Sequence, residues 1–108
     1  MADHPRFGPA GMPPAFKLLK QPVTEVPKYL RSEGLDSFEY EMVRWGPKPQ
    51  MKRETAETLG KRAAENDVWL TAHGSYFINL TSPNNETLEA SKRRLLACVQ
   101  AASWMGAR

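Results

Sequence analysis

The chain has 108 residues, the length of one small domain, and 41% of them are apolar, which is enough to bury a core. The net charge is only +3, so the composition permits polyanion binding without arguing for it. No run approaches the roughly 20 consecutive apolar residues that a membrane helix needs, and the first residues lack the pattern of a secretion signal. Cys98 is the single cysteine, which excludes an internal disulfide framework and a cysteine-based zinc site. These features predict a soluble protein of the reducing cytoplasm.

The first third of the chain is rich in Gly and Pro. Residues 6–9 are a short strand candidate that Gly8 and Pro9 interrupt, and the stretch to Pro22 is typical of a long loop. Residues 24–31 predict a short helix, with Gly34 as its C-terminal stop.

The next segment, residues 37–43, alternates with a period of two. Phe38, Tyr40 and Met42 fall on one side, whereas Glu39 and Glu41 fall on the other. This pattern predicts a strand with one apolar face and one face that carries carboxylates.

The remainder of the chain alternates between helix and strand patterns. Residues 44–51 predict a loop, residues 53–66 a helix, and residues 68–72 a strand. Residues 87–105 then predict a long helix, with Asn84 or Asn85 as its N-cap and Gly106 at its end. Its expected apolar stripe consists of Leu88, Leu95, Val99 and Ala102.

The spacing of the strands gives the architecture. Phe7 and Phe38 are 31 residues apart, and so are Phe38 and Trp69. A (β/α)8 barrel of about 250 residues has about 31 residues per βα unit. We therefore expect an α/β fold consisting of the first three βα units of a TIM barrel, with residues 1–108 as the amino-terminal portion of that single domain. The alternative is an open three-layer α/β sheet that is complete as it stands.

An incomplete barrel has consequences for association. A fourth strand would begin near Ala107, and three parallel strands leave two open sheet edges. We expect marginal stability of the isolated chain, or self-association through these edges.

His73 is the foremost candidate for a functional role, because it follows the apolar run of the third strand. In parallel α/β folds the carboxyl ends of the strands gather ligands and catalytic groups. An imidazole there can bind zinc, or it can be a hydrogen-bonded structural residue. Glu39 and Glu41 would point into the barrel interior, as ligands, general bases or members of an ion pair.

Two loops at the same end carry aromatic residues. Arg44 and Trp45 follow the second strand, and Tyr76 and Phe77 follow the third. An arginine beside an aromatic residue suits phosphate contact and base stacking, and an exposed aromatic loop can enter a duplex. Aromatic loop residues also commonly cover a core, and spacing alone does not decide between the two roles.

The segment AHGSYFINL, residues 72–80, resembles the third-strand signature of the endonuclease IV family, a group of xylose-isomerase-like barrel proteins. RFGPAG, EVPKYLRSEGLDSFEYE, KRETAETLGKRAAEND and AASWMGAR are also similar to its shorter members. The resemblance implies a (β/α)8 barrel that cleaves DNA at abasic sites with a cluster of zinc ions. It implies that His73 is a zinc ligand, and that Tyr76 and, by a looser match, Arg44 contact DNA. The family's remaining ligands would lie beyond Arg108, so we expect the 108-residue chain alone to be inactive.

Two other functions stay open from the sequence. One is a sugar isomerase or epimerase of the same barrel superfamily, which would bind a small polyol at a metal-containing barrel mouth. The other is a barrel fragment without activity, or one that serves only as an interaction module. The Tyr-Phe-Ile-Asn-Leu continuation after His73 favours the nuclease.

Overall fold

The computed structural model describes residues 4–108, in which helices and two parallel strands alternate. The elements in chain order are α1 (Pro14–Leu18), a 3₁₀ helix (Val23–Glu25), α2 (Val26–Ser32), β1 (Ser37–Glu41), α3 (Arg53–Glu65), β2 (Trp69–His73) and α4 (Asn85–Trp104). The predicted order of helix, strand, helix, strand and helix from residue 24 onward is confirmed. The sequence had also predicted an N-cap for the last helix, and the Asn84 side chain accepts a hydrogen bond from the Thr87 N–H.

β1 and β2 form a parallel pair in which Phe38 lies opposite Leu70 and Glu41 lies opposite His73. The 31-residue spacing of the strands had placed Trp69 at the position equivalent to Phe38. The residue that lies opposite Phe38 is Leu70, one position later. Because side chains alternate along a strand, that one residue decides the face: Phe38 and Leu70 are buried together, whereas Trp69 belongs to the opposite face.

The predicted first strand is wrong as a regular strand. Residues 6–11 run parallel to β1, and the Phe7 and Pro9 carbonyls accept hydrogen bonds from the Asp36 and Glu39 N–H groups, at 3.0 and 3.1 Å. Only Ala10 forms a bridge, with Glu39. Pro9 has no N–H to donate, so a continuous ladder cannot form. The segment nevertheless occupies the place of a strand beside β1.

The predicted long loop before Pro22 is also interrupted by a helix that the sequence analysis missed. α1 begins at Pro14, whose fixed φ and missing N–H suit the first turn of a helix. It buries Phe16, whose ring packs edge to face against Tyr29 of α2 with centroids 5.4 Å apart. α1 therefore covers one end of the hydrophobic core with Phe16.

The three longest helices all end in the same turn. At the end of α2 the Gly34 and Leu35 N–H groups donate to the carbonyls of Arg31 and Leu30, the hydrogen-bond pattern of a Schellman motif. Asp67 (φ 51°) after α3 and Gly106 (φ 66°) after α4 occupy the same position of the turn as Gly34 does after α2. Each turn leads from a helix toward an extended segment, and the last brings the Arg108 N–H to the Leu70 carbonyl at 2.8 Å.

The helices cover one face of the sheet. Phe38 and Leu70 pack in one buried cluster against residues from α1, α2 and α3, namely Phe16, Val26, Leu30, Ala56, Leu59 and Ala63. A second cluster at the carboxyl end of the strands joins Met42 and Trp45 to Cys98 and Ala101 of α4. Each Å² of apolar surface that these clusters remove from water stabilises the fold by about 25 cal/mol.

The predicted apolar stripe of α4 is wrong for Leu95 and Val99, whereas Ala102 packs against the second cluster and Leu88 is half-buried. Leu95 and Val99 are 38% and 56% exposed, and the buried side chains of the helix are small ones: Ser91, Ala97, Cys98 and Ala101. Small residues let the helix lie close to the sheet and to the loops above it. Leu95, Leu96 and Val99 lie on a face of α4 that is exposed in the described part of the chain, residues 4–108.

None of the helices described is long and apolar enough to cross a membrane.

Candidate functional site at the carboxyl ends of the strands

The face of the sheet opposite the helices carries the predicted polar residues. Glu39 lies opposite Thr71, and Glu41 lies opposite His73, at the carboxyl ends of both strands. Glu41 and His73 are both exposed. The carboxylate of Glu41 lies against Gly11, at whose Cβ position Oε1 would be only 2.6 Å away. The extended segment, β1 and β2 thus bring Gly11, Glu41 and His73 to one edge.

The His73 ring is oriented by its own turn. Nδ1 lies 2.8 Å from the main-chain carbonyl oxygen of Gly74. A carbonyl oxygen can only accept, so this hydrogen bond places the proton on Nδ1 and leaves the lone pair on Nε2. Ligating histidines commonly have their other ring nitrogen bonded to a carbonyl in this way. Nε2 of His73 is therefore the atom available as a metal ligand or proton acceptor.

Tyr76 lies beside His73 in the aromatic loop, defined here as residues 74–84 between β2 and α4. The two rings meet edge to face with centroids 5.6 Å apart and an angle of 79° between their planes. The Tyr76 side chain is nevertheless 66% exposed, and Phe77 is 52% exposed. An exposed aromatic side chain is thus held against the imidazole at the strand end.

The aromatic loop is bound to the loop after β1. The Tyr76 N–H donates to the Val43 carbonyl at 2.8 Å, and the Ser75 hydroxyl donates to the Trp45 carbonyl at 3.0 Å. The residue between these two acceptors is Arg44, whose side chain is exposed. The structure therefore joins the two loops that carry the predicted DNA-binding residues, Arg44 and Tyr76.

Trp45 serves the core. Its side chain is 6% exposed and packs with Met42, Cys98 and Ala101. Of the two roles that the sequence left open for loop aromatics, Trp45 covers the core, whereas Tyr76 and Phe77 lie at the surface.

Burial raises the pKa of the Cys98 thiol, which therefore stays protonated and unreactive at neutral pH.

A second anchor of the aromatic loop comes from α4. The buried Ser91 hydroxyl accepts the Asn79 N–H at 2.8 Å, and the Arg94 guanidinium lies 5.8 Å from the centre of the Phe77 ring. Sequence reasoning missed both residues. A serine three positions before an arginine shares a helix face with it, but the sequence does not say that a loop covers that face.

Among residues 4–108 the structure brings no three His, Cys, Asp or Glu side chains together as a metal site. His73 has the donor chemistry of one zinc ligand, and Glu41 lies opposite it on the neighbouring strand. Zinc in proteins takes at least three protein ligands. The described residues consequently fit one ligand position, that of His73, and do not form a complete site.

Residues 27–108 match the model of a protein family described as xylose isomerase-like TIM barrel. The chain belongs to the xylose isomerase-like TIM-barrel family. The match covers α2, β1, α3, β2 and α4, and therefore includes His73 and the aromatic loop. No curated protein matches the chain. Membership explains the parallel pairing of β1 with β2 and the layer of helices on one face, since both recur in barrels of this kind.

Proposed function

We propose that residues 1–108 are the amino-terminal portion of a zinc-dependent phosphodiesterase of the endonuclease IV type, which acts at abasic sites in DNA. In this proposal the segment supplies one zinc ligand, His73, and two DNA-contacting loops. It forms part of a single barrel domain, in which Glu39 and Glu41 point to the interior.

One observation supports the proposal above the others: an exposed aromatic side chain is packed against a histidine whose Nε2 is available. Tyr76 meets His73 at 5.6 Å, and its main chain is tied to the Arg44 loop. A side chain that enters a duplex at a lesion has to lie close to the group that acts on the phosphate. A small-sugar site does not need an exposed aromatic loop beside its metal ligand.

The residues of this segment would each have a defined task. His73 would bind through Nε2 while the Gly74 carbonyl holds its ring in place. Tyr76 would stack in the duplex, and Arg44 would contact a phosphate group. Zinc, when bound, supplies hydroxide at neutral pH and stabilises charge on a phosphate.

The second candidate function is a sugar isomerase or epimerase. The family description supports it, because the matched family is named for its likeness to xylose isomerase. In that case His73 and Glu41 would contact a metal-bound polyol, and Tyr76 would have no partner in a duplex. The two functions therefore differ in what Tyr76 does.

The test uses the natural gene product that carries residues 1–108, with zinc and a duplex that contains one abasic analogue. We expect nicking at the analogue. His73→Ala should lower the rate about 100-fold or more, because a lost ligand costs at least as much as a lost partner of a ligand. Tyr76→Ala should weaken binding to the damaged duplex about 10-fold, the cost of one lost stacking contact.

The matched control for His73 is His4→Ala, because His4 is the other histidine and bonds to Asp36. This variant should nick as the parent does. Sugar isomerisation without nicking would overturn the nuclease and establish the second candidate.

A further inference from the structure

Where the aromatic loop meets α4, Arg94 has no carboxylate partner among residues 4–108. Arg94 lies 5.8 Å from the Phe77 ring centre, within the range of a cation–π contact. Its Nε is buried and, among residues 4–108, has no hydrogen-bond partner. The guanidinium therefore lies beside Phe77 with one buried donor that the described residues leave unsatisfied.

Lys92 and Arg53 differ from Arg94 because each pairs with a carboxylate, whereas Arg93, like Arg94, has none within ion-pair distance among residues 4–108. Lys92, two residues earlier, pairs with Glu89 at 3.2 Å, and Arg53, which also lies over an aromatic ring, pairs with Glu57 at 2.7 Å. Within the described part of the chain no carboxylate lies within ion-pair distance of Arg94. Its charge is thus left for an anion from outside.

The position of Arg94 connects this charge to the candidate site. Phe77 follows Tyr76 directly, and the Tyr76 ring packs against His73. Ser91, one helical turn before Arg94, accepts the Asn79 N–H and fixes the far side of the same loop. A polyanion that approached Tyr76 would therefore meet a fixed guanidinium on the α4 side of the loop.

We propose that Arg94 binds a phosphate group of the DNA strand that the aromatic loop approaches. The inference rests on the proposed function, since it names a further contact of the same substrate. With Nε buried, the two Nη atoms of Arg94 still offer four N–H donors in one plane, which suits a phosphate oxygen pair, and the Phe77 ring lies beside that plane. Arg44 on the loop after β1 would contact the strand from the other side.

The test compares Arg94→Gln and Arg94→Lys in the natural gene product, with Arg53→Gln as the matched control. Affinity for an abasic-analogue duplex and for an undamaged duplex is measured by fluorescence anisotropy between 50 and 200 mM KCl. Arg94→Gln should weaken both complexes about 10-fold at the lower salt concentration. It should also reduce the slope of log K against log salt by about 0.9, the loss of one phosphate contact.

Arg94→Lys keeps the charge but lacks the planar fork, so it should retain the parent's salt slope and bind more weakly than the parent but more tightly than Arg94→Gln. Arg53→Gln should match the parent, because Glu57 already compensates that charge. An unchanged salt slope in Arg94→Gln would overturn the phosphate contact, and so would a salt slope in Arg94→Lys as low as that in Arg94→Gln. Urea unfolding curves of each variant show whether weaker binding comes from a protein that no longer folds.

The two proposals fail in different ways. If the parent binds both duplexes and Arg94→Gln lowers the salt slope, but the parent does not nick, the nuclease proposal fails and the Arg94 contact stands. If the parent nicks and Arg94→Gln keeps the parent's salt slope, only the Arg94 contact fails. A parent that binds neither duplex overturns both.

Discussion

The buried hydroxyl of Ser75 donates a hydrogen bond to the main-chain carbonyl of Trp45 at 3.0 Å and accepts one from the Phe77 N–H at 3.1 Å. One side chain thus joins the loops that follow the two strands. Because Ser75 is buried, with only 8% of its surface exposed, water does not readily replace its hydroxyl as a partner of these two groups. The relative position of Arg44 and Tyr76 therefore depends on Ser75.

Replacing Ser75 with Ala should leave the Trp45 carbonyl and the Phe77 N–H without this partner. We expect a loss of about 1–3 kcal/mol in the free energy of unfolding, measured by urea denaturation. Ser103→Ala, at an exposed position of α4, is the control and should change stability by less than about 0.5 kcal/mol. Equal stability of the two variants would show that the Ser75 bonds do not hold the loops.

Gly8 tests whether residues 6–11 pack against β1. A Cβ at this position would lie 1.6 Å from the Ser37 carbonyl oxygen, so the segment could not keep its place. Gly8→Ala should destabilise the protein by about 2 kcal/mol or more. At Gly46 the nearest atom is 3.9 Å away, and Gly46→Ala should leave the urea midpoint nearly unchanged. A Gly8→Ala protein as stable as its control would contradict the observed packing.

Asp36 predicts a pH dependence of stability. The Phe7 N–H, which donates to its carboxylate at 2.8 Å, lowers the pKa of Asp36 below the ordinary value; burial opposes this shift, and His4 and Arg6 add to it. A carboxyl whose pKa is lower in the folded state stabilises the fold above its unfolded pKa of about 4, and this contribution is lost as the pH falls through the folded pKa.

The measurement compares the parent with Asp36→Asn by urea unfolding at a series of pH values from 7 to 2. The difference in the free energy of unfolding between the two proteins should be largest near neutral pH and should shrink below about pH 4. Glu33→Gln, at the exposed end of α2, is the control. A difference that stayed constant down to pH 2 would count against the carboxylate's role.

His73 can be tested for metal binding separately from activity. Because Nδ1 is engaged by Gly74, we expect zinc to bind at Nε2 and to shift the ring resonances of His73 in histidine NMR spectra of the natural gene product. His73→Ala should lower the zinc content per molecule after dialysis, whereas His4→Ala should not. Unchanged zinc content in His73→Ala would remove His73 from the ligand set.

The isolated 108-residue chain should self-associate. Among residues 4–108, only the Arg108 N–H pairs with the Leu70 carbonyl on the outer edge of β2, and α4 exposes Leu96 and Val99, at 66% and 56%. Open sheet edges and apolar patches favour association. Sedimentation should show a mass that rises with concentration, and Val99→Lys should weaken this rise more than Gln100→Lys. A monomer with a sharp thermal transition would contradict this expectation.

The sequence alone determined the elements whose signals are local. The alternation around Phe38 defined β1, and Asn84 and Gly106 marked the ends of α4, because caps and strand periodicity depend on a few adjacent residues. His73 could be placed at the end of a strand for the same reason. The resemblance in its neighbourhood also indicated the superfamily, which the family match bears out at that coarser level.

Only the tertiary structure decided which surfaces meet. In the folded chain the small residues of α4, and not Leu95 and Val99, form the buried face. The distance between this helix and the sheet with its loops limits the size of the side chains that fit between them. The tertiary structure buried Trp45 and exposed Tyr76, although both are aromatic loop residues. It also brought Arg94 to the aromatic loop, a contact between residues whose spacing in the chain carries no local signal. Contacts of this kind depend on the packing of whole elements, which no short stretch of sequence encodes.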